Sequence, residues 1–327
     1  MEKGRLIAQD FPRKMGHQLG GVLHSGGRLS AQQVCDYMTS LDIDLETLMI
    51  MMLPFAAELS IAPISHFSVG AVAASRNQDG SATLYLGANM EFQKSPLSSS
   101  LHAEQAAINH AWLYGESSID FLATSAAPCG YCRQFLNELH RSEHLQILLP
   151  SNNEEQPWTV ETLGSLLPNA FGPLHLGVKD RLLAPTSSPC HLQLRHSQSN
   201  DPVIQSALQA ASLSYAPYVI GASSITNKTC SPAYAGVALQ TEDGKIYCGR
   251  HAMNAAHNPS LSPLQSALSF MKMSHPSISF QTITRCVLVE TPTLVSQKQI
   301  TKSILSSIAP ELGLEYYLAI SPSEGKK

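Results

Sequence analysis

The 327-residue sequence has little charge, and the charged residues are not clustered. Only 14% of the residues are Asp, Glu, Lys or Arg, the formal net charge is −4, and the pI is near 6.3. No run of basic residues occurs, although binding to a polyanion requires clustered Lys and Arg. We therefore expect no nucleic-acid partner.

Long apolar runs are also missing. The first ten residues lack the hydrophobic stretch of a signal peptide. The most hydrophobic segment, residues 45–64, is interrupted by Glu46, Pro54 and Glu58, which indicates packed helices and not a membrane span. We expect a soluble, cytoplasmic protein with no membrane partner.

The seven cysteines lack the even number and regular spacing of a disulfide framework. Only Cys129 and Cys132 lie close together. We expect the other five to be reduced, mostly buried thiols in a reducing compartment. These are Cys35, Cys190, Cys230, Cys248 and Cys286.

Two short segments carry the residues of a candidate metal site. His102 precedes Glu104 by two positions, and Cys129 and Cys132 are three apart. One imidazole and two thiolates leave a fourth tetrahedral position for water, which is the ligand count of a catalytic zinc site. If Pro128 opens a helix, both sulfurs lie on its first turn, where backbone NH groups stabilise thiolates. Glu104 is the candidate proton carrier.

Two alternatives are open for the cysteine pair. A redox pair does not need the upstream His-x-Glu, and a closed zinc knuckle needs a fourth ligand close in sequence. The local candidates for that ligand are His110, His140 and His144, and we expect each to be solvated.

Secondary-structure patterns surround these motifs in an alternating order. A short helix over residues 30–38 and a longer one over 46–61, kinked or restarted at Pro54, come first. Strands at 66–73 and 83–87 flank a turn at 77–80, and a helix at 102–113, a strand at 121–124, the Pro128 helix and a strand at 145–149 follow. This order predicts an α/β unit with a mixed sheet covered by helices on both faces.

The second half of the chain repeats the first without its chemistry. Residues 56–63 match 210–217, 85–87 match 247–249, and 105–108 match 265–268. In this register His102, Glu104, Cys129 and Cys132 become Ser262, Leu264, Thr293 and Ser296, and Asn89 and Glu91 become His251 and Met253. We predict a degenerate second copy of the fold and one zinc ion per chain.

The predicted organisation has four parts. An N-terminal helical segment occupies residues 1–44 and a catalytic zinc domain residues 45–177. A linker rich in Pro and Ser occupies residues 178–200, and a non-catalytic domain residues 201–327.

The motifs resemble one enzyme family. His-x-Glu followed by Pro-Cys-x-x-Cys is the signature of zinc-dependent nucleobase deaminases. Together with residues 87–92, Gly-Ala-Asn-Met-Glu-Phe, it resembles the long, two-domain cytidine deaminases, strongly over about residues 54–176 and more weakly beyond. The resemblance implies two tandem three-layer α/β/α deaminase domains and zinc held by His102, Cys129 and Cys132. It also implies hydrolysis of cytidine and deoxycytidine, with Glu104 carrying the proton and ammonia released, as in pyrimidine salvage.

The resemblance also implies a nucleoside site. Asn89 and Glu91 would hydrogen-bond the sugar hydroxyl, Phe67 would stack on the base or sugar, and the backbone at Ala103 would bind the pyrimidine edge. Residues 89 and 91 can share one face of an extended segment. A carboxylate there accepts from a free 3′-OH and repels a 3′-phosphate, so a nucleoside fits.

The same resemblance implies a homodimer in which the inert domain of one chain walls the active site of the other. His257 and Phe171 are the candidates for this contact, although relatives commonly carry an aromatic residue at the position of His257.

Three functional hypotheses follow. The first is a cytidine and deoxycytidine deaminase; the second is a deaminase of dCMP, free cytosine or a polynucleotide cytosine; the third is an inactive zinc-binding scaffold. Glu91 and the lack of basic clusters disfavour phosphorylated substrates. The intact His102 and Glu104, set against the eroded second copy, disfavour the scaffold.

Overall fold

The structure is a computed structural model that describes residues 26–151, 158–185, 190–196, 198–218 and 232–321. The chain divides into two compact units. The first comprises the chain up to Glu91, Ser100–Ala170 and Met271–Ile278, and the second comprises Phe92–Ser99, Phe171–Phe270 and the chain from Ser279 onward. Among the described residues, no helix is both long and apolar enough to cross a membrane.

The first unit is built on a six-stranded mixed sheet. Its strands are β1 (Arg28–Leu29), β2 (Gly70–Arg76), β3 (Ala82–Ala88), β4 (Phe121–Thr124), β5 (Gln146–Pro150) and β6 (Trp158–Thr162). Its helices are α1 (Ala31–Leu41), α2 (Leu45–Glu58), α3 (Ala103–Leu113), α4 (Gly130–Leu136) and α5 (Leu163–Leu166). The strand order is β1-β3-β2-β4-β5-β6, with β4 and β5 parallel and the other neighbours antiparallel.

Helices α2 and α3 pack on opposite faces of this sheet. Gly87 pairs with Ala71, the neighbour of Gly70, so Gly70 and Gly87 face opposite sides. A Cβ at Gly70 would lie 2.5 Å from the Leu53 carbonyl oxygen in α2, and one at Gly87 would lie 2.1 Å from the Ala107 nitrogen in α3. The two glycines therefore let both helix backbones approach the sheet, and the predicted layered α/β unit is confirmed.

One predicted strand begins later than its sequence pattern suggested. The strand predicted from residue 66 starts at Gly70, and His66 has a positive φ of 55°. Side chains capture the backbone donors that precede it: the Val69 NH donates to Asn89 and the Ser65 NH donates to Glu91. These donors are not available for strand pairing, so residues 66–69 form a loop.

Two helix predictions also need correction. Helix α2 contains Pro54 and continues to Glu58 without a restart. Helix α4 begins at Gly130, two residues after Pro128, and Cys129 is its N-cap residue. The short predicted helix is present as α1, where the Ser30 side chain caps the first turn.

The second unit is built on a five-stranded sheet in which four strands are arranged as in the first unit. Its strands are β7 (Gln193–Leu194), β8 (Ala235–Thr241), β9 (Ile246–Arg250), β10 (Ile283–Glu290) and β11 (Leu314–Ile320), and its helices are α6 (Pro202–Ser212), α7 (Pro263–Ser274) and α8 (Lys298–Ile308). The order is β7-β11-β10-β8-β9, with β10 and β11 parallel. Strands β9, β8, β10 and β11 thus correspond to β3, β2, β4 and β5. The edge strand β7 lies inside the range predicted as a linker.

The backbone confirms the register of the internal repeat up to the helix starts. In the first unit Met90 bridges Ile61 and Leu101, and in the second Ala252 bridges Tyr215 and Leu261 in the same parallel and antiparallel sense. Position 90 therefore corresponds to position 252, which aligns residues 89 and 91 with 251 and 253. Gly236 and Gly249 approach α6 and α7 as Gly70 and Gly87 approach α2 and α3.

The cysteines outside the pair are free thiols where the structure describes them, but most are not buried. Cys286 is buried in β10, Cys190 and Cys248 are half-buried, and Cys35 is exposed because it lies on the solvent side of α1. Cys230 lies outside the described residues.

Candidate active site

The candidate metal ligands lie at the amino ends of α3 and α4. His102 and Cys129 are the N-cap residues of these helices, both in extended conformation. Cys132 lies in the first turn of α4. The donor atoms of the three residues lie within 4.8 Å of one another, and the described part of the chain holds no other such group of three metal-binding side chains.

The distances between the donor atoms fit a tetrahedral zinc site. With ordinary bond lengths, two sulfurs on one zinc lie about 3.8 Å apart, and a sulfur and an imidazole nitrogen about 3.6 Å apart. The two Sγ atoms are separated by 3.7 Å, and the His102 Nδ1 atom lies 3.6 Å from Cys129 Sγ and 3.2 Å from Cys132 Sγ. The three side chains already surround a position for one metal ion.

The electrostatics of the two thiols favour a bound cation. Contact with the Cys132 thiol and backbone NH groups at the start of α4 lower the pKa of Cys129 to about 5. The pKa of Cys132 is held above its ordinary value. Its thiol hydrogen-bonds the Cys129 sulfur, is buried, and lies near the Glu104 carboxyl, and each of these raises its pKa. Two adjacent thiolates repel each other, so a dication between them lets both lose their protons.

Glu104 is buried beside the ligands, with 4% of its surface exposed. Burial raises the pKa of its carboxyl, and the nearby Cys132 thiol hydrogen-bonds it. A raised pKa brings a carboxyl closer to neutral pH, where it can both accept and return a proton.

Asn89 and Glu91 both face the loop that precedes β2. Asn89 Oδ1 accepts from the Ser60 hydroxyl at 2.7 Å and from the Val69 NH at 2.8 Å, and its Nδ2 donates to the Phe67 carbonyl at 2.9 Å. An NH group can only donate and a carbonyl oxygen can only accept, so these contacts fix which end of the amide is oxygen.

The Glu91 carboxylate binds the same loop. Its Oε2 accepts from the backbone NH groups of Ile64 at 2.8 Å and Ser65 at 3.0 Å. Burial raises the pKa of Glu91, but hydrogen bonds from Ser65 and Ile64 outweigh burial and leave the pKa below its ordinary value. Glu91 is therefore ionised at neutral pH.

The other predicted substrate residues lie in the same unit. Phe67 is 53% exposed, so its ring is not part of the core. Ala103 is the buried first residue of α3, where helix geometry leaves the NH without an intrahelical acceptor. In the second unit, His257 is exposed with a positive φ of 61°, and Phe171 is exposed beside the His175 ring.

Sequence reasoning missed three residues that support the site. Tyr131 stacks on His102, Gln105 accepts from the His102 NH, and Ser60 donates to Asn89. The position of Gln105, three residues after a helix start, is a capping pattern that could have been recognised.

The local histidines are not ligands, although one prediction about them was wrong. His110 is fully buried and not solvated, because α3 packs on β3 and places His110 Nδ1 3.0 Å from the Leu86 carbonyl oxygen. His140 is half-buried and His144 is exposed, and neither belongs to the group of metal-binding side chains.

A polar network links the end of β10 to the start of α8 in the second unit. Glu290 accepts from the Ser296 hydroxyl at 2.5 Å, the Gln297 NH at 2.7 Å and the Tyr316 hydroxyl at 2.8 Å. Helix α8 starts eight residues after β10 ends (290 to 298), whereas α4 starts six residues after β4 ends (124 to 130). The N-cap residue of α8 is Gln297, and Thr293, the predicted counterpart of Cys129, lies in the loop before this helix.

Comparisons with known proteins find the same family in the first and in the second half of the chain. Residues 43–147 and 163–302 each match a family described as the cytidine and deoxycytidylate deaminase zinc-binding region. The chain is 41% identical to a cytidine deaminase of Shewanella loihica over 87% of this chain and 86% of that protein. It is 43% identical to one of Sodalis glossinidius over 81% and 80%, and 42% identical to one of Photorhabdus laumondii over 86% of each.

These matches extend over most of the chain and include both units. The first match contains the His102, Cys129 and Cys132 group, whose distances fit zinc. The chain therefore belongs to the cytidine and deoxycytidylate deaminase family, a family of zinc-dependent hydrolytic deaminases.

Proposed function

We propose that the first unit of this chain deaminates cytidine and 2′-deoxycytidine. Water replaces the amino group at C4 of the base, and the products are uridine or deoxyuridine and ammonia. The observation that carries the proposal is the buried Glu104 carboxyl beside the three clustered donor atoms of His102, Cys129 and Cys132. A zinc ion held by these donors would activate water directly beside a proton carrier.

The three donor residues would hold one zinc ion per chain. Zinc bound there supplies the Lewis acidity that makes water a nucleophile near neutral pH. The two thiolates offset much of the charge of the ion, which makes a neighbouring base useful.

Glu104 is the proposed proton carrier. Its carboxylate takes a proton from the attacking water and delivers it to N3 of the base while the water oxygen bonds to C4. The same carboxylate then takes the proton of the new C4 hydroxyl and delivers it to the amino group, so the C4–N4 bond breaks, ammonia leaves and C4 becomes a carbonyl. One side chain can serve both transfers because its pKa is raised by burial.

Asn89 and Glu91 are the proposed sugar ligands. Asn89 Oδ1 is already taken by Ser60 and Val69, so the amide can offer a substrate its second Nδ2 proton. Glu91 accepts only, because it is ionised. A sugar hydroxyl that donates to Glu91 and accepts from Asn89 satisfies both, whereas a 3′-phosphate would be repelled by Glu91.

Two further contacts with the base or sugar complete the proposed site. The exposed Phe67 ring would stack on the base or sugar, since an aromatic ring half in solvent gains from covering its free face. The NH at Ala103 would donate to the pyrimidine edge, as helix-start NH groups are available to ligands.

For the whole chain we propose the domain organisation and the homodimer that the resemblance implies. Residues 45–177 are the catalytic domain and residues 201–327 the non-catalytic domain, after the segment 1–44 and the linker 178–200. The protein is a cytoplasmic homodimer in which His257 or Phe171 of one chain lines the site of the other. A sedimentation mass of about twice the 35.3 kDa of one chain supports the dimer, and a fully active monomer contradicts it.

Ammonia release from a panel of substrates tests the function. Cytidine, deoxycytidine, dCMP, free cytosine and adenosine are compared for the wild type and for Glu104→Ala. We expect turnover of the two cytosine nucleosides, with a loss on the order of a hundredfold to ten-thousandfold in the variant, because the proton transfers have no carrier. The variant should retain zinc, since Glu104 is not a ligand.

The other outcomes separate the alternatives. Preferential turnover of dCMP would make the chain a nucleotide deaminase, and no turnover by a zinc-loaded wild type would make it a binding scaffold. Near-normal turnover by Glu104→Ala would remove the proposed role of this residue.

A further inference from the structure

An aromatic ring covers one face of the candidate ligand His102. The rings of Tyr131 and His102 are stacked, with centroids 5.2 Å apart and an interplanar angle of 30°. The Nδ1 atom of the same imidazole lies within 3.6 Å of both cysteine sulfurs. The ring that presents the donor nitrogen is thus in contact with Tyr131 on one side.

Tyr131 is itself held in place. Tyr131 lies in the first turn of α4, between Cys129 and Cys132 in the sequence. The backbone that positions the two cysteines therefore also positions the Cα atom of Tyr131. The Gln105 amide donates a hydrogen bond to the Tyr131 hydroxyl, and Gln105 Oε1 accepts from the His102 NH at 3.3 Å. Gln105 is 1% exposed. The imidazole and the backbone of His102 are therefore held by one connected set of side chains.

The second unit keeps the glutamine but not the stack. Gln265 Oε1 accepts from the Ser262 NH at 3.0 Å, as Gln105 accepts from His102. The Gln265 amide donates to the Ser99 carbonyl oxygen at 2.7 Å instead of to a phenol. The glutamine cap thus belongs to the fold, while the aromatic ring is present only where a metal ligand needs orienting.

We propose that Tyr131 is a positioning residue for zinc binding, which keeps the imidazole of His102 directed at the two thiolates. The inference rests on the proposed zinc site. Rotation about the Cβ–Cγ bond of a histidine has broad minima, so an imidazole without packing on its face can turn its donor nitrogen away. Groups that orient a metal ligand typically change metal affinity by about 10- to 100-fold.

Zinc release tests the role directly. Zinc-loaded full-length wild type, Tyr131→Phe and Tyr131→Leu are mixed with excess 4-(2-pyridylazo)resorcinol, and the rate of zinc transfer is followed by absorbance. We expect Tyr131→Leu to release zinc about tenfold faster than the wild type. Tyr131→Phe, the matched control that keeps the ring and removes the hydroxyl, should stay within about twofold.

Two further measurements separate positioning from folding. The thermal midpoint of metal-free Tyr131→Leu should equal that of the metal-free wild type. The visible spectrum of the cobalt(II)-substituted variant should differ from that of the wild type, since a turned imidazole changes the ligand geometry.

Three results would overturn the inference. These are release from Tyr131→Leu at the wild-type rate, equal acceleration in both variants, or a lowered metal-free midpoint with an unchanged cobalt spectrum. A wild type that holds no zinc would instead overturn the proposed site itself, and it is recognised before any variant is compared.

Discussion

At the scale of single residues, one exchange between the two copies changes what a polar side chain can do. Asn89 in the first unit corresponds to His251 in the second. His251 is 3% exposed, its Nδ1 donates to the Ala233 carbonyl oxygen at 3.0 Å, and its Nε2 lies 3.4 Å from the Gln297 amide nitrogen, which donates to it. Burial lowers the pKa of His251 to about 4, so the ring is neutral in the folded protein.

The neutral histidine predicts a loss of stability in mild acid. The folded-state pKa lies below the ordinary 6.5, so the stabilisation is complete above pH 6.5 and is lost as the pH falls toward 4. Between pH 7 and pH 5 this position should cost about 2 kcal/mol of the free energy of unfolding. Urea unfolding of the wild type and of His251→Asn at both pH values measures the difference.

We expect the variant to lose about 2 kcal/mol less than the wild type over this interval. Asparagine is the residue of the other copy and does not titrate. The buried His110, whose pKa burial also lowers to about 4, is common to both proteins, so its contribution cancels. Equal losses in the two proteins would contradict the prediction.

Residues that act through their chemistry were predictable, and residues that act through contacts were not. His102, Cys129 and Cys132 stand out because few side chains bind zinc and their spacing is short. Tyr131 and Ser60 have no distinctive spacing relative to the residues they contact. Ser60 meets Asn89 only after the chain has folded across 29 positions.

At the scale of elements, the position of α3 against β3 decides where the ligands lie. Gly87 of β3 faces this helix, and a Cβ there would lie 2.1 Å from the Ala107 nitrogen and 2.5 Å from the Ala103 carbonyl oxygen. Both contacts are with backbone, which cannot move aside alone. Because Gly87 has no side chain, the start of α3, which carries His102 and Glu104, can pack directly against β3.

Gly87→Ala should therefore displace α3 and impair the site. We expect a loss of roughly 3 kcal/mol of stability from overpacking, together with a large loss of bound zinc, because His102 moves with the helix. Zinc content after dialysis and the thermal midpoint are the measurements.

Two glycines supply the controls for this prediction. Gly249→Ala creates the matching clash in the second unit, 2.2 Å from the Ala267 nitrogen, and should lower the midpoint while leaving zinc bound. Gly313→Ala meets nothing within 4 Å and should change neither quantity. Retention of full zinc by Gly87→Ala would contradict the proposed coupling between strand and ligand.

Element boundaries were less predictable than element order. The order of strands and helices over residues 30–149 followed from alternating hydrophobic patterns and turn residues, whereas β1, β6 and α5 were not predicted. The start of β2 did not, because the Asn89 side chain accepts from the Val69 NH inside the segment predicted as a strand and Glu91 accepts from the Ser65 NH just before it. The short edge strand β7 has two residues, too few to carry a pattern.

At the scale of the whole molecule, one fold occurs twice, and among the described residues a group of three metal-binding side chains occurs once. The second unit keeps the four central strands and the two close glycine contacts. Glu290 at the end of β10 accepts three hydrogen bonds, including those of Ser296 and Gln297, in the segment that leads to α8. A carboxylate with its acceptors filled by protein donors holds this region together without a metal ion.

This asymmetry predicts one zinc ion per chain, although both halves match a zinc-binding family. Metal analysis by mass spectrometry should give one equivalent per 35.3-kDa chain for the wild type, and near zero for Cys129→Ala, because two remaining donors bind zinc weakly. Ser296→Ala is the matched control in the second unit and should keep one equivalent. Two equivalents in the wild type, or one retained by Cys129→Ala, would mean that a second set of ligands exists, and the division of labour between the copies would have to be redrawn.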